Sequence, residues 1–243
     1  MDGLNPWDAG LVEDYSRLVR DFGIEEMKEY QVKYDDLHYI RRGIIFGHRD
    51  FNYIDEAISR GKPFALMTGL MPSGRFHLGH KMVADEIKYF QEKGAELFIC
   101  AADIESYLMR DVALEDAFMT ARTEYLTNYF ALGVKPDGLT FWFQSDYRSE
   151  YYRMRDLISR RPTFNELKAI YGDLSTGKII SALTQAADIL HPQLPEFEGR
   201  CPVLVPVGTD QDPHIRLTRD ISQRIKANDF LQVSSTYHRF LPG

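Results

Sequence analysis

The chain has 243 residues, 44% apolar and 13% aromatic, which is enough to bury one sizeable core, and it contains no apolar run of the length a membrane span needs. A formal charge of −7 does not mark a nucleic-acid binder, so an RNA partner requires basic residues gathered on one face. The two cysteines, Cys100 and Cys201, form no CxxC pair, which argues against a disulfide framework or a protein-bound structural metal and for a reducing compartment, by default the cytoplasm.

The opening MDGLNPWDAG has neither a basic n-region nor an apolar h-region, so no signal peptide is expected. Residues 1–62 read as an N-terminal extension that mixes short helical patterns with RRGIIFGHRD (41–50). There Ile44, Ile45 and Phe46 sit between Gly43 and Gly47, the pattern of a short strand or hairpin arm. Gly61-Lys62-Pro63 then punctuates the chain.

Residues 63–243 turn to alternating strands and helices. FALMT (64–68) is a short apolar run suited to a buried parallel strand. From about Leu78, Met82, Val83, Ile87 and Phe90 recur at helical spacing until Gly94, and ELFICAAD (96–103) is a second buried strand, completing a βαβ unit. Leu114 to Leu132 predicts a long amphipathic helix closed by Gly133. LTFWFQSD (139–146) and CPVLVPVG (201–208) predict further strands. After the last, Asp212 is placed to cap a helix with Pro213 at its first position and Leu217, Ile221 and Ile225 along one stripe. The alternation predicts an α/β fold with a doubly wound parallel sheet and a mostly helical insertion at about 105–190.

The stretch TGLMPSGRFHLGH (68–80) falls at the carboxyl end of the first buried strand and runs into a helix start. Ligands of open α/β sheets bind at such ends, and the free N–H groups of a helix N-terminus favour an anion. Gly69 and Gly74 let backbone approach a ligand. His77 and His80, three apart, share one helical face. The helix start disfavours imidazolium, yet neutral imidazoles still donate N–H bonds to phosphate oxygens, the arrangement that stabilises charge on a transferring phosphoryl group. A metal site built on this pair lacks a third ligand nearby.

PSGRFHLGH resembles the HIGH signature of class I aminoacyl-tRNA synthetases, here His77-Leu78-Gly79-His80. VGTDQDPHIRLTRDI (207–221), RRGIIFGHRD and TFNELKAIYG (163–172) resemble blocks of tryptophanyl-tRNA synthetases of the archaeal and eukaryotic type, and the resemblance runs nearly end to end. It implies a Rossmann-type catalytic core that activates tryptophan with ATP and transfers it to tRNA(Trp), with Mg²⁺ travelling on the nucleotide and a homodimeric assembly. His77 and His80 are then the phosphate contacts, Gly79 lets adenine lie against the helix, and Gly69, Pro72 and Ser73 shape the loop. Gly208 and Asp210 serve the ribose side. Glu105 matches the carboxylate that receives the ammonium group, and Gln185 and Gln211 match polar contacts to the backbone end of tryptophan.

Three departures from the family stand out. Where eukaryotic members carry Tyr and Gln beside the indole nitrogen, this chain has Met67 and Cys100, neither a strong acceptor. A buried indole N–H left unpaired costs about 1–3 kcal/mol, so another acceptor is expected. The family places a lysine-rich second signature and a helical anticodon-binding domain after the point reached here at HRFLPG (238–243), and neither lies in these residues: either the chain is a fragment of a longer protein or the protein is a reduced form, and the 243 residues as they stand are expected to bind ATP and tryptophan with strongly impaired activation.

For tRNA, the candidate surface is 148–168, where Arg148, Arg153, Arg155, Arg160, Arg161 and Lys168 are interrupted by Glu150, Asp156 and Glu166; a solvated helix face is the competing reading. Arg41, Arg42, His48 and Arg49 are candidates to fold over the nucleotide. A tyrosyl enzyme, a nucleotidyltransferase with a similar histidine loop and a non-catalytic ligand-binding paralogue are the rival readings.

Overall fold

The computed structural model describes residues 23–225 and 229–239; the helical patterns expected in 1–22 and the end of HRFLPG lie outside them. The described residues form a seven-stranded mixed sheet of order β1-β2-β7-β6-β3-β4-β5. Its strands are β1 (Glu25–Glu26), β2 (Ile45–Arg49), β3 (Phe64–Leu70), β4 (Ala95–Ala101), β5 (Leu139–Phe143), β6 (Val203–Gly208) and β7 (Ser234–His238). From β7 through β5 all pairings are parallel, while β2 runs antiparallel to both β1 and β7. The parallel core is thus the doubly wound sheet expected, with RRGIIFGHRD supplying an antiparallel strand at one side.

Ten α-helices connect or flank the strands among the described residues: α1 (His38–Arg41), α2 (Phe51–Arg60), α3 (Leu78–Glu92), α4 (Asp103–Arg110), α5 (Leu114–Thr120), α6 (Thr127–Ala131), α7 (Ser149–Ile158), α8 (Phe164–Tyr171), α9 (Thr176–Leu190) and α10 (Asp212–Arg224). The helix expected over 114–132 is α5 and α6 joined by a π-helical segment, Ala121–Leu126. Gly94 and Gly133, both at φ +98°, stop α3 and α6 where a side chain would be strained.

Strand alternation sorts the core onto two faces. Leu66, Leu97, Ile99 and Leu204 face one cluster with Met82, Ile87 and Phe90 of α3. Ala65, Met67, Phe98, Cys100, Val203 and Val205 face the other, with Ala186 and Ile189 of α9 and Leu217 and Ile221 of α10. Beside β3 the connections reverse: the chain passes from β3 to β4 on one side and returns as β6 on the other. Such a switch point opens a crevice outside the strands' carboxyl ends.

Asp212 does not cap α10. Its buried carboxylate instead accepts from Arg49 at 2.9 and 3.0 Å and from the Tyr237 hydroxyl at 2.6 Å, and Arg216 pairs with its other oxygen at 3.1 Å. An arginine arriving from β2 outcompetes the local backbone N–H, and the pair pins β2 to α10. Removing one partner of so buried a pair costs far more than the pair contributes. Arg49 is therefore committed to Asp212 rather than folded over a nucleotide. His48 is likewise turned inward, with Nδ1 accepting the Phe51 N–H and its ring against Tyr30. Arg41 and Arg42 are exposed.

Candidate active site

A cavity of about 740 Å³ lies at this switch point, walled by the ends of β3 and β6, the start of α3, and side chains of α4, α9 and α10. It brings together Met67, Gly69, His77, Gly79, His80, Glu105, Gln185, Gly208, Asp210 and Gln211, residues spread over most of the chain. Pro72, Ser73 and Cys100 are not among its lining residues. Ser73 is an exposed loop residue, and Cys100 is wholly buried in the sheet. Cys100 is therefore corrected from a pocket wall to a residue beneath it: its side chain alternates onto the α9 face but is covered by neighbours.

The two histidines have a structural logic of their own. His77 is the N-cap of α3, and its Nδ1 accepts the Gly79 N–H at 3.2 Å. Reciprocally, the His77 backbone N–H donates to Nδ1 of His80 at 3.3 Å. This is a capping box made of imidazoles instead of a hydroxyl and a carboxylate. With Nδ1 of each ring accepting, each ring carries its hydrogen on Nε2. The rings lie 3.8 Å apart between centroids, and both line the cavity. Burial, reinforced by the neighbouring His77, pushes His80 down to about 4, so it is neutral near pH 7. Phe76 and Tyr125 pack against the His80 ring and limit its rotation.

Gly79 is the close approach in this turn. A Cβ there would lie 3.1 Å from Cε1 and 3.2 Å from Nδ1 of His77, tighter than ordinary contact.

Across the cavity Glu105 is buried at the start of α4. Its carboxylate accepts from Ser181 Oγ at 3.0 Å and from Gln185 Nε2 at 3.0 Å, both on α9. The Glu105 backbone N–H donates to Gln144 Oε1 at 3.2 Å. At the end of β6, Gln211 Nε2 donates to Asp210 at 2.7 Å, and burial pushes the Asp210 carboxyl up.

Sequence reasoning passed over Asp188, which also lines the cavity. Its carboxylate accepts from Tyr151 Oη at 2.6 Å and from Gln144 Nε2 at 2.7 Å. Burial pushes it up to about 7, while these two bonds pull it down. The available signal was spacing: Asp188 follows Gln185 by three, so the two share a helix face. His214, hydrogen-bonded to Tyr171 at 2.8 Å, and the chain-end pair His238 and Arg239 complete parts of the lining that were likewise unforeseen.

The arginines of 148–168 are mostly engaged. Arg153 pairs with Glu196, Arg155 with Asp156, and Arg148 donates to the Glu196 carbonyl and pairs with Glu150. Glu166 both caps α8 through Thr163 and pairs with Arg224. A face so compensated has the character of a solvated helix surface.

A parallel sheet whose switch-point cavity holds a histidine-capped helix start on one side and a buried carboxylate on the other presents donors for an anion and an acceptor for a cation in one space, the layout of the ligand crevice in doubly wound α/β proteins. The chain belongs to the class I tRNA synthetases (W and Y), whose family model matches residues 59–243. It is 49% identical over 247 residues to the tryptophan–tRNA ligase of Hyperthermus butylicus and 45% identical over 246 residues to that of Aeropyrum pernix, covering 99% of this chain in each case. The chain spans 66% of the length of each of these relatives. The crystal structure of the Aeropyrum pernix tryptophanyl-tRNA synthetase superposes with a TM-score of 0.88, over 99% of this chain and 67% of that one. The Encephalitozoon cuniculi tryptophanyl-tRNA synthetase bound to tryptophan, 27% identical, gives 0.84 over 94% of this chain and 70% of that one.

Proposed function

We propose that this chain carries the activation site of a tryptophan–tRNA ligase, which joins tryptophan to ATP and passes the aminoacyl group to tRNA(Trp). In the first step a tryptophan carboxylate oxygen attacks the α-phosphorus of ATP. The bond from that phosphorus to the bridging oxygen breaks, pyrophosphate leaves, and tryptophanyl-adenylate remains. In the second, a ribose hydroxyl of the tRNA attacks the adenylate carbonyl and AMP leaves.

The reading rests on one observation: His77 and His80 share a single cavity with Glu105 and Gln185. The Nε2–H groups of the two histidines and the free N–H groups of α3 supply fixed donors for the phosphates, so charge gathering on the departing pyrophosphate meets dipoles already in place. Glu105 receives the ammonium group of tryptophan, and Gln185 and Gln211 orient its backbone end. Gly69 and Gly79 admit the nucleotide to the sheet's edge, while Gly208 and Asp210 take the ribose. Pro72 and Ser73 act on the loop's shape. Held in line, carboxylate and phosphate gain most of their rate from proximity. Mg²⁺ arrives as part of the substrate, bound mainly by phosphate oxygens and water. Among the described residues no helix is long and apolar enough to cross a membrane; a cytoplasmic homodimer with the N-terminal extension and catalytic core divided near residue 62 completes the proposal.

Calorimetric titration with tryptophan, tyrosine and ATP tests it. Tryptophan and ATP are expected to bind one site each, with tyrosine at least a hundredfold weaker than tryptophan. Binding of tyrosine in preference to tryptophan would refute the substrate assignment.

A further inference from the structure

Between α5 and α6 the chain widens into the π-helical segment Ala121–Leu126. A π turn holds one residue more than an α turn, is rare, and recurs at functional sites. Here it lies against the loop that carries His77 and His80. Glu124 and Tyr125 are neighbours in sequence, and in an α-helix neighbours point about 100° apart. Both nevertheless reach that one loop. Glu124 Oε2 accepts the Phe76 N–H at 3.4 Å. The Tyr125 ring meets His80 edge-on, 4.9 Å between centroids at 80°, and Phe76 at 6.0 Å and 70°. Side chains support the widened turn: Thr127 Oγ1 donates at 2.8 Å to the Arg122 carbonyl, five residues back, and Asn128 Nδ2 donates to the Glu124 carbonyl.

We propose that Glu124 and Tyr125, brought to one side by the π turn, are positioning residues for the nucleotide's phosphates: they hold the loop 76–80 so that the histidine Nε2–H groups stay aimed into the cavity. The proposal rests on the nucleotide reading of the histidine pair. Each of these rings is hydrogen-bonded within the turn at Nδ1 alone, and one bond leaves a ring able to pivot. Tyr125 stands against the His80 ring, and the His77 ring lies 3.8 Å from His80 between centroids, so a constraint on one passes to the other. Phe76 anchors the start of the loop. Its N–H is taken by Glu124, and its ring lies among Tyr125, Tyr129 and His80. Fixing these groups beforehand removes an ordering cost that binding would otherwise carry.

Neither Glu124 nor Tyr125 is among the residues lining the cavity, so both act through the histidines. That placement also suits the charge. A carboxylate among the phosphates would repel them; behind the loop, its charge is spent on the Phe76 N–H. A regular α turn here would have to turn one of the two side chains away from the loop.

Calorimetry with ATP and with tryptophan is run on the wild-type chain, Tyr125→Leu, Tyr125→Phe, Glu124→Ala, Glu124→Gln and a chain lacking Thr123, an exposed residue whose deletion closes the π turn to an α turn. Tyr125→Leu, Glu124→Ala and the deletion are expected to weaken ATP binding about three- to tenfold, with tryptophan affinity held within about twofold. Tyr125→Phe keeps the ring and Glu124→Gln keeps an acceptor, so both should hold ATP affinity within about twofold. In ¹⁵N NMR spectra of the imidazoles, the wild type should show His80 with its hydrogen on Nε2, and the three weakened variants a mixture of tautomers. Unchanged ATP affinity or unchanged spectra in folded Tyr125→Leu and Glu124→Ala overturn the proposal while leaving the nucleotide reading intact. An equal loss of ATP and tryptophan affinity overturns it too, as does a loss in Glu124→Gln as large as in Glu124→Ala. Glu124 is only half-buried, so if the deletion or Tyr125→Leu does not fold, the two Glu124 variants decide. A wild type that does not bind ATP overturns the nucleotide reading first, and this proposal with it.

Discussion

Replacing Gly79 by alanine separates the histidine pair's role in the fold from its role toward the nucleotide. The backbone at this second residue of α3 is helical, and alanine is favoured over glycine in a helix by up to about 1 kcal/mol. The Gly79 N–H that caps onto His77 is retained. The new methyl, however, would lie 3.1 Å from Cε1 and 3.2 Å from Nδ1 of His77, so that ring must give by a few tenths of an ångström. Retreat is limited by the His80 ring, 3.8 Å away between centroids. A hydrogen bond to a charged phosphate is worth about 1.5–3 kcal/mol, so its misalignment should weaken ATP binding about ten- to a hundredfold. The melting temperature should stay level or rise by up to about 4 °C. Calorimetry with ATP and thermal unfolding of the same sample measure both. Unchanged ATP affinity in a folded variant would refute the reasoning; a joint fall in stability and affinity would place the damage in the helix rather than in the ring.

Two further substitutions probe the network. Glu105→Gln keeps the size of the side chain but removes the charge that receives an ammonium group; tryptophan affinity should fall about ten- to a hundredfold while indole-3-propionate, which lacks that group, binds as before. Glu86, wholly buried on α3 and held by Thr236 Oγ1 at 2.6 Å, is pushed by burial up to about 7. Since the folded-state value lies above the unfolded one, the native state holds the extra proton between about 4.5 and 7, and stability is lost as pH rises through that window. A shift of this size corresponds to on the order of 3 kcal/mol. Glu86→Gln should therefore match the wild type near about pH 4 and exceed it in denaturant unfolding near about pH 8, by on the order of 2–3 kcal/mol.

The βαβ unit was legible because buried parallel strands are continuous apolar runs and Gly94 marks the helix end. The π-helical segment at Ala121–Leu126 was not, since one extra residue in a turn barely shifts an amphipathic stripe. That 41–50 forms a strand could be read locally; that it pairs with β7, almost two hundred residues on, could not. Asp212 shows the same limit. Its neighbours in sequence describe an N-cap, but the residue that claims it, Arg49, is distant in the chain. That His77 and His80 stand together at a helix start beside a strand's carboxyl end was legible from their spacing, while their capping role required knowing which nitrogen faces which N–H. Asp188 was passed over because the residues that donate to its carboxylate, Tyr151 and Gln144, lie 37 and 44 residues away in the chain. Cys100 erred the other way: a strand residue one pleat from a cavity is hidden from it by the neighbours that make the floor.

The central claim is that one cavity seats an aminoacyl group and a nucleotide end to end. Binding of 5′-O-[N-(L-tryptophanyl)sulfamoyl]adenosine, a stable analogue of the joined intermediate, tests this most directly. It is expected to bind at least about a hundredfold tighter than tryptophan or ATP alone and to displace both, because one ligand collects both sets of contacts without a second loss of translational freedom. An affinity no better than that of tryptophan, or binding that leaves ATP in place, would mean that the two half-sites are not one.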